Sequence, residues 1–185
     1  VYEHTKVKKV DYNLISTENA SVRAKHIVFA SHFPFINVPG YYFARMHQGR
    51  SYVLALENAA SFDGTYEGID ADGVSLRSYG GMTLLGGGDH RTGENSEGGK
   101  YKLLRHKAAE FWPESRERFF WSAQDCMTPD SVPYIGRFSR SRPDWFVCTG
   151  FGKWGMTSSM VSAILISRII AGEKYPATPL QNTRI

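Results

Sequence analysis

Residues 7–15 alternate apolar and polar side chains, which predicts a strand. The polar cluster Ser16, Thr17, Glu18 and Asn19 then supplies a turn before a second extended segment from Val22, so the pair reads as a hairpin. Residues 26–30 (HIVFA) form a continuous apolar run with β-branched members, the pattern of a strand buried on both faces, and the chain breaks at Pro34. Four strand-like runs follow at residues 50–56, 65–69, 74–78 and 82–85. The loops between them hold Asp63-Gly64 and Asp72-Gly73, predicting an antiparallel sheet joined by hairpins. Residues 86–99 carry Gly86, Gly87, Gly88, Gly93, Gly98 and Gly99 and read as a loop, either mobile or shaped around a ligand. Tyr101, Leu104, Ala108 and Phe111 then recur with helical spacing ahead of Pro113, predicting a helix that covers the sheet. Strands at 118–123 and 145–149, separated by a loop rich in Asp and Pro, complete the extended elements. The apolar stretch 156–171 reads as a core helix with Gly172 as its cap.

Composition narrows the classes without choosing one. The chain has 185 residues, 42% hydrophobic and 22% charged, enough for a folded core of one domain or two small lobes. Lys plus Arg number 22 against 18 Asp plus Glu, and the basic residues are scattered, which argues against a nucleic-acid partner. The 156–171 stretch is too short for a bilayer and contains Ser158, Ser159, Ser162, Ser167 and Arg168, so no integral membrane segment is expected. Cys126 and Cys148 match no metal motif and read as reduced, buried thiols. The first residues look like a strand rather than a signal peptide, so a cytoplasmic location is expected. A start at Val1 suggests a piece of a longer protein.

The chemistry is concentrated at residues 145–172, where a short apolar strand meets a glycine turn, Gly150 to Gly155 (GFGKWG), and passes directly into a helix. The free N–H groups at such a helix start favour an anion or an electron-rich carbonyl, and glycine lets a ligand approach the backbone. Ser159, Ser162, Ala163 and Ser167 keep one helix face thin for close packing. By itself this unit is also compatible with a simple packing turn.

Thr128 to Gly136 read TPDSVPYIG, and residues 150–157 read GFGKWGMT. In this order and spacing the two motifs resemble the C-terminal end of the FAD-dependent oxidoreductases of the D-amino-acid oxidase, glycine oxidase and sarcosine oxidase superfamily. Residues 26–33 (HIVFASHF) resemble that family's last nucleotide-domain strand, with Ser31-His32 in place of its Thr-Gly. The wording Ser31-His32-Phe33-Pro34 and Lys153-Trp154-Gly155-Met156 is similar to bacterial members that can carry an appended Rieske domain, whose cluster two cysteines cannot hold.

The resemblance implies an α+β fold. Residues 1–34 would end the FAD-binding domain, 35–125 would form the substrate-domain sheet covered by helices, and 126–185 would return to the FAD-binding domain. The Gly-x-Gly-x-x-Gly fingerprint is missing from this sequence, so the N-terminal dinucleotide-binding half is expected to be a separate stretch of the protein, and the isolated chain to bind FAD poorly and to be inactive.

The resemblance further places Ala30, Ser31, Gly150, Phe151, Gly152, Lys153, Trp154, Gly155, Met156 and Thr157 at the flavin, with the helix start facing its pyrimidine end. Lys153 also reads as a solvated loop charge, and Trp154 as the lid of a local apolar cluster. Arg77 is the candidate clamp for a substrate carboxylate. His32 and His90 are candidates to act on a substrate proton, or are hydrogen-bonded structural residues. Cys126 is offset by three residues from the family's covalent flavin attachment, so the flavin is expected to be noncovalent. Aromatic residues within 41–52 are expected to line an apolar pocket for a small-molecule amine or amino acid. The rival expectation is a noncatalytic binding or assembly module built on the same fold.

Overall fold

A computed structural model describes residues 1–70, 72–94 and 99–173. Residues 95–98, including Gly98 of the expected glycine loop, and residues 174–185 lie outside the described residues. The chain forms two compact units: Val1–His47 with Cys126–Ile185, and Gln48–Asp125. The first unit thus includes residues 35–47, and its two stretches flank the second in sequence.

The first unit begins with a three-stranded meander, β1 (Val7–Asp11), β2 (Leu14–Thr17) and β3 (Ser21–Arg23). The single strand expected over residues 7–15 is divided by a turn in which Tyr12 takes φ 48°. An alternating pattern continues through such a tight turn, so periodicity alone cannot reveal it. A second sheet has the order β10-β11-β4, from β4 (Ile27–Phe29), β10 (Tyr134–Ser139) and β11 (Arg142–Thr149). β10 falls within the expected loop rich in Asp and Pro between the strands at 118–123 and 145–149. It is a strand because Ile135 packs toward the helix side while Tyr134 and Phe138 pack into the opposite core. β4 lies parallel to β11 at the edge of this sheet, and Val28 is 43% exposed, so burial on both faces does not hold among the described residues. Phe29, Tyr42, Met46, Cys126, Phe138, Trp145 and Val147 form the core on one side of the sheet.

The final helix, α2 (Gly155–Ala171), packs Leu165 and Ile166 against Ile135 and Phe146 on the other side. Gly172 caps it with φ 76°, its N–H and that of Glu173 donating to the last-turn carbonyls of Ile169 and Arg168, as the sequence predicts. Of the small residues on the expected thin face only Ser162 is buried; Ser159, Ala163 and Ser167 are exposed.

The second unit is a five-stranded sheet in the order β6-β7-β8-β5-β9, built from β5 (His47–Glu57), β6 (Tyr66–Glu67), β7 (Ser75–Tyr79), β8 (Met82–Arg91) and β9 (Arg116–Met127). β7 and β8 are joined through Gly80 and Gly81, both at positive φ, which matches the twist of a two-residue hairpin. The expected loop from Gly86 is a continuation of β8, whose residues through Arg91 pair with β5. Glycine suppresses strand propensity, but here the partner strand supplies the ladder. The helix α1 (Tyr101–Phe111) covers the sheet through Leu104 and Ala108, which pack with Tyr52, Leu54, Leu56 and Leu85, while Phe111 stays exposed. The fold is therefore α+β, with antiparallel and mixed sheets covered by helices and a terminal strand, turn and helix.

Candidate functional site

The parallel pairing of β4 with β11 brings two predicted segments to one edge of the first unit. Trp145, Phe146 and Val147 run beside Ile27, Val28 and Phe29. Ala30, Ser31 and His32 therefore leave the sheet at the same end as Gly150. Strand β11 is apolar because it is the central strand, and it stops at Thr149 because Gly150 takes φ 73°. A Cβ at Gly150 would also lie 2.5 Å from Thr128 Cγ2 and 3.4 Å from Met46 Sδ, so position 150 demands glycine on two counts.

The turn that follows is tied down by its own backbone. Gly152 donates to the Cys126 carbonyl at 3.0 Å, and Trp154 donates to the Phe151 carbonyl at 2.9 Å. Helix α2 then starts at Gly155 with no side chain capping its first turn and no acidic residue within it. Its first amides and the positive end of its dipole are left for an external acceptor. The space a Cβ would occupy at Gly155 is open, with no atom within 4 Å, so a planar ligand can lie against bare backbone there. Trp154 and Met156 are 74% and 87% exposed. Thr128, itself buried, packs its Cγ2 against Gly150, and its Oγ1 has no partner among the described residues. A flavin has the flat shape and the carbonyl acceptors that such an edge can take, so the residues present fit the group.

Sequence reasoning did not find the knot beneath this edge. The His32 carbonyl accepts a hydrogen bond from Thr149 Oγ1 and another from Cys126 Sγ at 3.4 Å. No local pattern signals contacts between residues 32, 126 and 149. Cys148 sits beside the knot, and burial pushes its thiol pKa up, so it stays protonated and inert near neutrality.

Arg77 and His90 belong to the second unit. Arg77 is exposed on β7, opposite Leu84. Both ring nitrogens of His90 are engaged, Nδ1 with the Arg91 carbonyl at 2.9 Å and Nε2 with the Tyr52 hydroxyl at 2.8 Å. Of the aromatic residues expected to line a pocket, Tyr42 and Tyr52 are consumed by the cores of their respective units, whereas Tyr41 and Phe43 remain exposed.

The α+β fold ends a parallel strand pair in a glycine turn and an uncapped helix with bare backbone at its start, an arrangement able to take a flat group that carries hydrogen-bond acceptors. The chain belongs to the FAD dependent oxidoreductase family, whose model matches residues 1–169. It is 35% identical over 186 residues to a Bacillus subtilis (strain 168) protein named as a Rieske 2Fe-2S iron–sulfur protein, YhfW, covering 95% of this chain and 36% of that protein. Glycine oxidase from Geobacillus kaustophilus has a similar structure, with TM-score 0.78 and 20% identity over 100% of this chain and 53% of that one. L-proline dehydrogenase from P. horikoshii follows with TM-score 0.76 and 17% identity, over 98% and 54% of the two chains. The chain thus spans about a third of the curated relative and about half of these solved structures.

Proposed function

We propose that this chain forms the flavin-covering part of an FAD-dependent oxidoreductase that oxidises a small amine or amino acid. The uncapped start of α2, set by the Gly150 turn at the C-terminal ends of β4 and β11, carries the reading. Ala30, Ser31, Gly150, Phe151, Gly152, Lys153, Trp154, Gly155, Met156 and Thr157 form the wall on which the flavin rests. FAD, when bound, supplies the acceptor for a pair of electrons from a C–H bond beside nitrogen.

The chain's own contribution is electrostatic. The N–H groups of Gly155, Met156 and Thr157 favour negative charge at the helix start, and so favour the reduced cofactor over the oxidised one. Arg77 offers a guanidinium for a substrate carboxylate. Glycine oxidase and L-proline dehydrogenase, the solved structures similar to this chain, are named for amino-acid substrates, which supports that substrate class.

The dinucleotide fingerprint is to be supplied by a separate N-terminal half. Two observations support this. The similar solved structures are about twice as long as this chain. Helix α2 also leaves Met156, Met160 and Ile164 exposed along one apolar face. The test is to purify the full-length polypeptide and the 185-residue chain separately. Full-length protein with one flavin per chain, bleached anaerobically by an amine or amino acid, together with a colourless and inactive short chain, is expected. A colourless full-length protein, or stoichiometric flavin on the short chain alone, overturns the reading.

A further inference from the structure

Three connections of the first unit meet at the ends of β4 and β11 opposite Gly150: the β1–β2 turn, the link from β3 to β4 and the β10–β11 hairpin. Between them lies an open cleft of about 460 Å³. Hydrogen bonds across the connections hold its walls. Trp145 Nε1 donates to the Tyr12 carbonyl at 2.7 Å, and the Ala24 N–H donates to the Asn13 carbonyl at 2.9 Å. Ala24, Ile27, Pro143 and the rings of Tyr12 and Trp145 make much of the lining apolar. A preformed, largely apolar cavity of this size suits a small organic molecule rather than a bare ion.

The charge in the cleft is one-sided. Arg142 and Lys25 stand against a single lining carboxylate, Asp144, whose Oδ1 lies 3.6 Å from His26 Nδ1. The Arg142 guanidinium lies 4.1 Å over the Tyr12 ring and 5.5 Å from the centre of the Trp145 ring, which fixes its plane. Its Nη1 donates to the Ser141 carbonyl at 3.2 Å, and its Nε is shielded from water with no acceptor among the described residues. Neither Arg142 nor Lys25 has a carboxylate partner among the described residues. Arg105 and Arg118 also lie over rings, but each has its anion within the chain, Glu117 and Glu57 respectively. Arg45, over the Tyr42 ring, shares with Arg142 an unpartnered nitrogen; what sets Arg142 apart is the cleft it lines and the second cation there.

We propose that this cleft binds a small organic anion, a flat apolar ring bearing a carboxylate or a phosphate, with the ring against Ile27 and Tyr12 and the anionic group on Arg142 and Lys25. A stacked guanidinium offers such a group a pre-oriented set of donors, and the lysine adds a second charge. Gly150 stands about 25 Å away along β11, so the cleft is separate from the flavin edge and the inference does not rest on the flavin-site reading.

Calorimetric titration of the full-length protein with benzoate and with phenyl phosphate tests this, and inorganic phosphate serves as the anion without a ring. At least one ring-bearing probe is expected to bind once per chain with the visible flavin band unshifted, about tenfold or more tighter than inorganic phosphate. The tighter of the two identifies the anionic group. Lys25 is exposed and unpaired, so Lys25→Glu spares the fold and is expected to weaken that binding about tenfold or more. Arg142→Lys keeps the charge but loses the planar fork and is expected to weaken it about fivefold. Arg140→Gln, at an exposed arginine of the same hairpin outside the cleft lining, leaves it unchanged.

The proposal is overturned if neither ring-bearing probe binds at millimolar concentration without shifting the flavin band. It is also overturned if inorganic phosphate binds as tightly as both, or if Lys25→Glu leaves the binding unchanged. A colourless full-length protein ends the flavin reading alone, and the calorimetric comparison of the three probes and the variants still decides the role of the cleft.

Discussion

Tyr52 donates its hydroxyl proton to His90 Nε2 at 2.8 Å, and the direction of that bond follows from a second one. A carbonyl only accepts, so the contact from His90 Nδ1 to the Arg91 carbonyl at 2.9 Å requires the proton on Nδ1 and, in the neutral ring, leaves Nε2 as acceptor. The pair lies between β5 and β8, where Tyr52 is 3% exposed and also meets the Tyr101 ring edge-on. A His with both nitrogens engaged is a poor free base. Tyr52→Phe removes the donor and leaves Nε2 unpaired. Chemical denaturation is expected to show a loss of about 1 kcal/mol, and a double-mutant cycle with His90→Ala a coupling of similar size.

Two glycines of the same turn separate folding from ligand binding. Gly150→Ala must place a methyl 2.5 Å from Thr128 Cγ2 at φ 73° and is expected to cost about 2–4 kcal/mol of stability. Gly155→Ala meets open space and should change stability by no more than about 0.5 kcal/mol. In the full-length protein it is nonetheless expected to weaken flavin retention about tenfold, because the added methyl stands where the ligand approaches backbone. Unchanged flavin affinity in Gly155→Ala would place the cofactor elsewhere.

The exposed face of α2 predicts opposite outcomes in two contexts. Met160 is 65% exposed. Met160→Glu in the 185-residue chain is therefore expected to be neutral within about 0.5 kcal/mol. In the full-length protein, where the N-terminal half is proposed to cover this face, the same change buries a charge and should cost about 2 kcal/mol or more. Equal, small effects in both would leave the face uncovered.

Arg105 grips Glu117 with two hydrogen bonds, 2.7 Å from Nε and 2.9 Å from Nη2, while its guanidinium lies over the rings of Tyr101 and Phe120. Those hydrogen bonds hold the Glu117 carboxyl below the usual carboxylate range. Its stabilising effect is therefore present above the unfolded value, about pH 4.3, and is lost as pH falls through the lower folded value. Solvent screens the pair, so Glu117→Gln is expected to cost only about 0.5 kcal/mol at pH 7. The difference between the two proteins should disappear in denaturation curves recorded at acid pH.

Tyr42 shows the opposite sign. Burial, partly opposed by the charge of Arg45, pushes its phenol well above the ordinary tyrosine range, and its hydroxyl donates to the Phe138 carbonyl at 3.0 Å. In the unfolded chain the phenol ionises near pH 10, so stability carried by the neutral form is complete below that pH and is lost as pH rises beyond it. Tyr42→Phe should cost about 1 kcal/mol at pH 7 and flatten the alkaline limb of the stability profile. An unchanged alkaline limb would assign that limb to other residues.

Elements whose cause is local were legible before any coordinates. Leu104 and Ala108 mark the buried face of α1, Gly172 ends α2, and the glycine turn from residue 150 announces a strand passing into a helix, because each depends on neighbours within a turn or two of chain. The resemblance carried by residues 128–136 and 150–157 reached the family for the same reason: its motifs are contiguous text. Partners distant in sequence were not legible. β10 is a strand because two different cores take up its alternate side chains, and β8 runs on through Gly86 and Gly87 because β5 pairs with them. The knot at the His32 carbonyl exists because Thr149 and Cys126 reach it from more than ninety residues away. Hydrophobic period, caps and turns are properties of a short window. Ladder pairing, hydrogen bonds across a core and side-chain exposure come from chain segments meeting in space, and tertiary structure alone decides them.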